Sequence, residues 1–345
     1  MTAKVSLCMI VKNEERSLRH CLDSVKNKVN EIIIVDTGST DATKEVAKEY
    51  NAIIKEYAWN DDFSAARNYS ISFASNEYIL IMDADEVLDQ ELDIKKEIAR
   101  DLDYYILHIK NYDSDGHTSN HQAIRLFKNN IGLQYGGSIH EHLQINFTHS
   151  KDTINGYIHH FGYLNEVVKY KKKEKRNKDL LIKEVKLNPS GYNYYNLGKQ
   201  LKIESNYPEA LKNFQKAFNK SKGKTYLSNL VYHLADCLRH LRRFNEALHV
   251  LKDATAVYPE HTDLFYLQGL IYLDLKYYSE AIHAFQHCLK LGDSKESNSI
   301  SGTGGYLSCY ALSMVYKQVG DRVKSFEFAY QSLKEQKSNF KSCLF

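Results

Sequence analysis

Through the first half of the chain, short runs that are apolar on both faces alternate with amphipathic stretches. Val5–Val11 (VSLCMIV), Glu31–Val35 (EIIIV), AIIKEY at 52–57 and YILIM at 78–82 read as strands. Residues 15–25, 41–50 and 62–74 carry apolar positions at helical spacing. Doubly apolar strands separated by helices predict a parallel sheet covered on both sides. Such sheets put their ligands beyond the carboxyl ends of the strands. Asp36 follows the second strand directly and Asp83 the fourth, so both acids are expected on that rim.

Near Lys169 the rhythm changes. Seven basic residues in ten positions (KYKKKEKRNK) open a helix-rich region in which no strand pattern returns. Such a run reads as the solvated face of a linker helix leaving the first domain. A repeat follows. Gly198 precedes Ala210 by twelve residues, and Ala235–Ala247, Gly269–Ala281 and Ser313–Ser325 keep the same offset. Small residues so placed let two antiparallel helices approach closely. Tyr207, Phe244 and Tyr278 stand three residues before the second small residue of the first three units, and the units begin 37, 34 and 44 residues apart. This resembles the tetratricopeptide repeat, with Pro208 and Pro259 at its turns, and four degenerate units predict a short solenoid. The long last interval holds GDSKESNSISGTGG, expected to be a flexible insertion. The expected division is a catalytic domain over 1–165, a basic linker helix over 166–190 and repeats over 191–338.

Composition narrows the class without naming it. At 345 residues the length favours two domains. No apolar run approaches the ~18 residues that span a bilayer, and the N-terminal apolar stretch is too short for a signal peptide. Six scattered cysteines without a C-x-x-C pair suit reduced thiols, so the expected location is the cytoplasm. A net charge of +3, with no basic stripe interleaved by aromatics, speaks against nucleic acid as a partner.

The candidate chemistry centres on Asp83-Ala84-Asp85-Glu86. Three carboxylates in four positions repel unless something cationic separates them. The stretch could be a solvated turn with helix-capping acids. It also looks like the first motif of haloacid-dehalogenase-type phosphatases, but the later Gly-Asp-x-x-x-Asp of that family is missing. The third reading is a site for a hard divalent cation bridging carboxylate and diphosphate. Gly38 is the sole glycine of the first 115 residues, which excludes a dinucleotide fingerprint and a Walker-type phosphate loop. A diphosphate here would have to be neutralised another way, which suits a metal.

Four stretches now agree in order and spacing: SLCMIVKNEERSLRHCLDSV, EIIIVDTGSTDAT, WNDDFSAARN and YILIMDADE. Together they resemble the inverting glycosyltransferases of family 2, which have the GT-A fold, over roughly residues 4–165. The architecture with a helical repeat region is similar to that of the glycocin S-glycosyltransferases. The expected fold class is therefore α/β, a GT-A domain followed by all-α tetratricopeptide-like repeats. The resemblance implies a nucleotide-sugar donor, with UDP favoured, and a divalent Mn²⁺ or Mg²⁺. It implies that Asp36 bonds the nucleotide base with Ser39 and Asp41 nearby, although these two could equally cap the following helix. It gives Arg67 to the diphosphate, Asp83 to the sugar nucleotide or the metal, and Asp85 to the metal. His160, or else His159, completes the metal site. In YGGSIHEHL, Gly136 and Gly137 would let backbone approach the sugar, and Glu141 stands where the general base is expected, with His140 and His142 as alternatives. Arg125 matches a position often filled in this subgroup. A zinc cluster of His140, His142, His159 and His160 would leave the aspartates unexplained. Trp59 and Phe63 are expected to pack the start of their helix. The repeats would hold a peptide acceptor or mediate a homodimer. A lipid-linked or cell-surface glycan acceptor, and a repeat scaffold without activity, are the alternatives.

Overall fold

The computed structural model describes residues 3–113, 118–146, 148–163, 173–295 and 298–341. The chain divides into two compact units, Met1–His117 with His121–Glu184, and Thr118–Asn120 with Val185–Phe345. The division falls inside a helix, Lys173–Leu187 (α5). Part of the expected linker, 166–172, lies outside the described residues; residues 173–184 belong with the first unit.

The first unit opens with β1 (Val5–Val11), α1 (Leu18–Val25), β2 (Glu31–Asp36), α2 (Thr43–Glu49), β3 (Ile53–Glu56), α3 (Phe63–Ile71) and β4 (Tyr78–Ile81). It continues with β5 (Glu86–Leu88), α4 (Ile94–Ile98), β6 (Tyr104–Asp113), β7 (Thr118–Lys128), β8 (Tyr135–Gly136), β9 (His142–Leu143) and β10 (Lys151–Tyr163). The strand order is β3-β2-β1-β4-β7-β6-β10-β5, with β8 and β9 as a separate pair. The four strands read from the sequence are mutually parallel. The sheet as a whole is mixed, because β7 runs antiparallel to β4 and β5 antiparallel to β10.

The period of two explains why these strands are apolar on both faces. Leu7, Met9, Ile34 and Leu80 join one buried cluster with Leu22 of α1, whereas Cys8, Ile33, Ile79 and Ile81 join another with Phe127 and Tyr135. The register sets Val11 beside Asp36 and Cys8 beside Ile81, so β1, β2 and β4 end on one rim. Among the described residues, no helix is long and apolar enough to cross a membrane. The five described cysteines are free and buried.

The second unit is a run of paired helices: Gly191–Ile203 (α6) with Tyr207–Lys220 (α7), Leu227–His240 (α8) with Phe244–Val257 (α9), Thr262–Asp274 (α10) with Tyr278–Leu291 (α11), and Tyr306–Gln318 (α12) with Arg322–Lys341 (α13). Each of the three recurring aromatics is the first residue of a second helix, and Pro208 sits in the first turn of α7, where its missing N–H costs nothing. The small residues are matched to what faces them. A Cβ on Gly198 would lie 2.6 Å from the Phe214 ring, and one on Gly269 2.6 Å from Phe285. Where Leu251 replaces the phenylalanine, the small residue is Ala235. In the last pair Ser325 Oγ donates to the Ser313 carbonyl at 2.9 Å.

This matching yields a prediction. Gly269→Ala gains roughly 1 kcal/mol of helix propensity but overpacks the Phe285 ring, which costs about 1–3 kcal/mol. Urea unfolding should show net destabilisation by the alanine, and Phe285→Leu should suppress that loss in a double-mutant cycle.

The insertion expected to be flexible is pinned where it is described. The Asp293 carboxylate accepts the N–H groups of Gly302 and Gly304, both at 2.8 Å. Asp263 accepts from the Ile300 N–H at 2.8 Å and the Thr303 hydroxyl at 2.7 Å. On α13, Val323, Phe326, Tyr330 and Leu333 are 58–74% exposed and share one face by helical spacing.

Candidate active site

The floor of the site is two loops joined by side chains. Gly38, at φ +102°, allows the tight turn after β2, and the Asp36 carboxylate closes it by accepting the N–H groups of Gly38 and Ser39. Ser39 Oγ accepts the Asn13 N–H at 2.9 Å, while Asn13 Oδ1 accepts the Thr40 N–H at 2.8 Å. Asp41 accepts the Glu15 N–H, and Thr43 Oγ1 accepts the Glu14 N–H at 2.7 Å. Ser39 and Asp41 thus tie the β2–α2 loop to the β1–α1 loop. Beside this floor lies a cavity of about 570 Å³. Thr37, Asn13 and Glu14 line it, and Asp36, Ser39 and Asp41 do not.

The carboxylates at the end of β4 are separated by two arginines. Arg67, on α3, donates from Nη2 to Asp83 Oδ1 at 2.7 Å and from Nε to Glu141 Oε1 at 2.5 Å. Arg125, on β7, donates from Nη2 to Glu86 Oε1 at 2.6 Å and reaches Asp83 Oδ2 at 3.3 Å. Glu86 Oε2 accepts the Asp83 N–H at 2.8 Å. Burial works against the charge on Asp83, but the Arg67 and Arg125 guanidiniums outweigh it and hold the carboxyl well below its usual range. Glu86 is pushed upward by burial, against the pull of Arg125. Glu86 is a buried member of this network at the head of β5. Both oxygens of Asp83 are spent on guanidiniums. Arg67 Nη1 and Arg125 Nε are buried with no hydrogen-bond partner among the described residues.

Asp85 faces a different partner. His160 Nε2 stands 3.5 Å from Asp85 Oδ1. The other ring nitrogen, Nδ1, lies 2.9 Å from Asn111 Oδ1, and Asn111 Nδ2 lies 3.0 Å from His121 Nδ1. Burial lowers the affinity of His160 for its proton, but the hydrogen bond to Asp85 prevails and its pKa is raised. Neighbouring strand residues point to opposite faces, so His159 meets the Tyr112 hydroxyl at 2.8 Å instead. The four histidines therefore do not converge. Among the described residues, no three His, Cys, Asp or Glu side chains form a group that could hold a metal ion. The Asp85–His160 pair still fits one. Two ligands of a single octahedral Mg²⁺ lie about 3 Å apart, and this ion is ordinarily completed by waters and substrate phosphates.

The facing wall comes from the loop after β8. Gly137 takes φ +95°, and its carbonyl accepts the Ser64 hydroxyl at 2.5 Å. The Phe63 N–H donates to the Ser138 carbonyl at 3.0 Å. His140 is exposed at φ +52°, and Glu141 is turned inward onto Arg67. Helix α5 closes this side: Lys183 pairs with Asp61 at 2.9 Å, Glu184 accepts from Ser138 Oγ, and the Arg176 guanidinium lies over the Phe63 ring at 5.2 Å. Burial lowers the Arg176 pKa, with Asp61 and Glu14 pulling the other way. Trp59 and Phe63 meet edge to face at 4.7 Å, as expected of packing residues. They also line the cavity together with Arg67, Asp83, Asp85, Glu141, His160 and Arg176. Arg176 was hidden in a basic run in which no residue stands out by spacing.

A mixed sheet whose strand-end acids, arginines and histidine share one cavity, followed by helical repeats, defines the architecture: a GT-A-like domain and a tetratricopeptide-like repeat domain. Residues 6–168 match the model of Glycosyl transferase family 2. Residues 204–288 match the model of Anaphase-promoting complex, cyclosome, subunit 3. The chain is similar to the SPbeta prophage-derived glycosyltransferase SunS of Bacillus subtilis, 29% identical over 79% of this chain and 67% of that one. It is also similar to a TPR repeat-containing protein of Synechococcus elongatus, 37% identical over 40% of this chain and 35% of that one. An uncharacterized glycosyltransferase of Rickettsia typhi is 38% identical over 26% of this chain and 30% of its own length. The chain thus spans about a third of the Synechococcus protein and two thirds of SunS.

Proposed function

We propose that the protein moves a sugar, with inversion, from a UDP-sugar to a side chain of a peptide or protein acceptor, with the help of a divalent metal. One observation carries this reading: the Asp85–His160 pair, the Arg67-linked carboxylates and Glu141 all line a single cavity. The floor loops and the Trp59–Phe63 pair would receive the nucleoside. Arg67, with its Nη1 unsatisfied, and Arg176 would face the anionic diphosphate; a guanidinium suits that charge because it donates in a fork. Asp85 and His160 would hold Mn²⁺ or Mg²⁺, which supplies charge neutralisation for the departing diphosphate. Glu141 takes the proton of the acceptor hydroxyl or thiol as that oxygen or sulfur bonds to the sugar C1. The bond from C1 to the phosphate oxygen breaks, and its electron pair leaves with the diphosphate. A peptide acceptor is favoured because helical repeats present extended binding surfaces. The apolar stripe on α13 is where we place self-association. We expect the protein to act in the cytoplasm.

Release of UDP from a panel of UDP-sugars, with Mn²⁺ or with EDTA, tests the reading. Turnover should require the metal, and Asp85→Ala should lower it by roughly 10²-fold or more. Full activity of that variant would sink the metal assignment. Absence of any nucleotide binding would leave the scaffold reading, and transfer only to a lipid-linked glycan would redirect the acceptor.

A further inference from the structure

Two residues outside the motifs act on the pair that would hold the metal. Asn111, on β6, is 8% exposed and stands between two imidazoles. An amide oxygen can only accept, so Asn111 Oδ1 at 2.9 Å calls for a proton on His160 Nδ1. The amide nitrogen can only donate, so its 3.0 Å contact with His121 Nδ1 makes that ring nitrogen the acceptor in the same arrangement. That arrangement leaves His160 Nε2 to face Asp85. Hydrogen bonds of this kind fix the tautomer and the ring plane of ligating histidines. Gly162, two residues along β10, shapes the same spot. A Cβ there would lie 2.7 Å from Asp85 Oδ2 and closer still to His160 Nε2. No φ in the left-handed region requires this glycine, so the requirement is for space.

The geometry points to Asn111 and Gly162 as positioning residues for the metal, the first setting the His160 ring and the second clearing the space beside Asp85 and His160. The inference rests on the metal-dependent reading above and extends it to residues that no sequence motif marks. Neither residue touches the reacting atoms; both act through His160 and Asp85.

The test uses the full chain and measures UDP affinity calorimetrically, in Mn²⁺ and in EDTA. The ratio of the two dissociation constants reports the metal seat without any turnover. Asn111→Leu and Gly162→Ala should each cut that ratio by about tenfold or more, while UDP affinity in EDTA stays within about twofold of wild type. Asn111→Asp keeps an oxygen acceptor for Nδ1–H and should retain most of the ratio. The inference is overturned if leucine and alanine leave the ratio unchanged, or if aspartate loses as much as leucine. Should Asn111→Leu bind no UDP in EDTA, the fold has been lost there and Gly162→Ala decides. A wild-type ratio of one would instead remove the metal reading itself, and the inference with it.

Discussion

Glu141→Gln is expected to lower sugar transfer by roughly 10²- to 10⁴-fold while leaving donor affinity within about twofold. Glutamine keeps the shape of the side chain and an oxygen for Arg67 Nε, which Glu141 meets at 2.5 Å. It cannot take up the acceptor's proton. The loss should therefore fall on kcat, and UDP binding measured by calorimetry should barely change. His140→Asn is the natural comparison. Asparagine tolerates the φ of +52° found at this position, so the loop need not rearrange. If Glu141→Gln transfers normally and His140→Asn does not, the proton goes to the imidazole instead. If both transfer normally, the base lies elsewhere in the cavity.

The largest stability effect is expected at Arg67. Its side chain is 7% exposed, and it holds Asp83 on one side and Glu141 on the other. Removing one partner of a buried ion pair costs about 3–5 kcal/mol, because the other charge is left without compensation. Arg67→Leu strands two carboxylates. Asp83 has 31% of its side chain open and can draw water in, so the lower end of that range applies. Arg125 also remains beside Asp83, at 3.3 Å. We expect a loss of about 3 kcal/mol in urea unfolding, partly recovered when Asp83→Asn removes one stranded charge. A variant as stable as wild type would show that the network contributes nothing to holding the rim together.

Much of this architecture was open to reading from sequence because its signals are local. Runs such as Ile32–Val35 are apolar on both faces, and only a sheet covered on two sides accepts that. The twelve-residue offset between small residues survives in all four helix pairs because two backbones must pass closely there. The rest depends on pairings far apart in the chain. Nothing near Glu86 says that Arg125, 39 residues on, will neutralise it, so no local signal marks it as a buried carboxylate. Asn111 gains its place only when β6 lies beside β10. Arg176 is one basic residue among many, and only the docking of α5 on Phe63 sets it apart. Ser39 and Asp41 show the converse. Their motif was legible, while the bonds they make are to the neighbouring loop.

That loop-to-loop stitching bears on how the donor binds. Asp36, Ser39, Asn13, Thr43 and Asp41 already satisfy one another, so the floor has no freedom left to surrender when a nucleotide arrives. Immobilising a mobile side chain on binding costs roughly 0.5–1.5 kcal/mol, and a floor of five such residues avoids most of that toll. Recognition then falls to the partly open wall opposite, where Trp59, His140 and Arg176 stand. The donor would meet one stitched side and one more open side, so changes in sugar preference are to be sought in the open one.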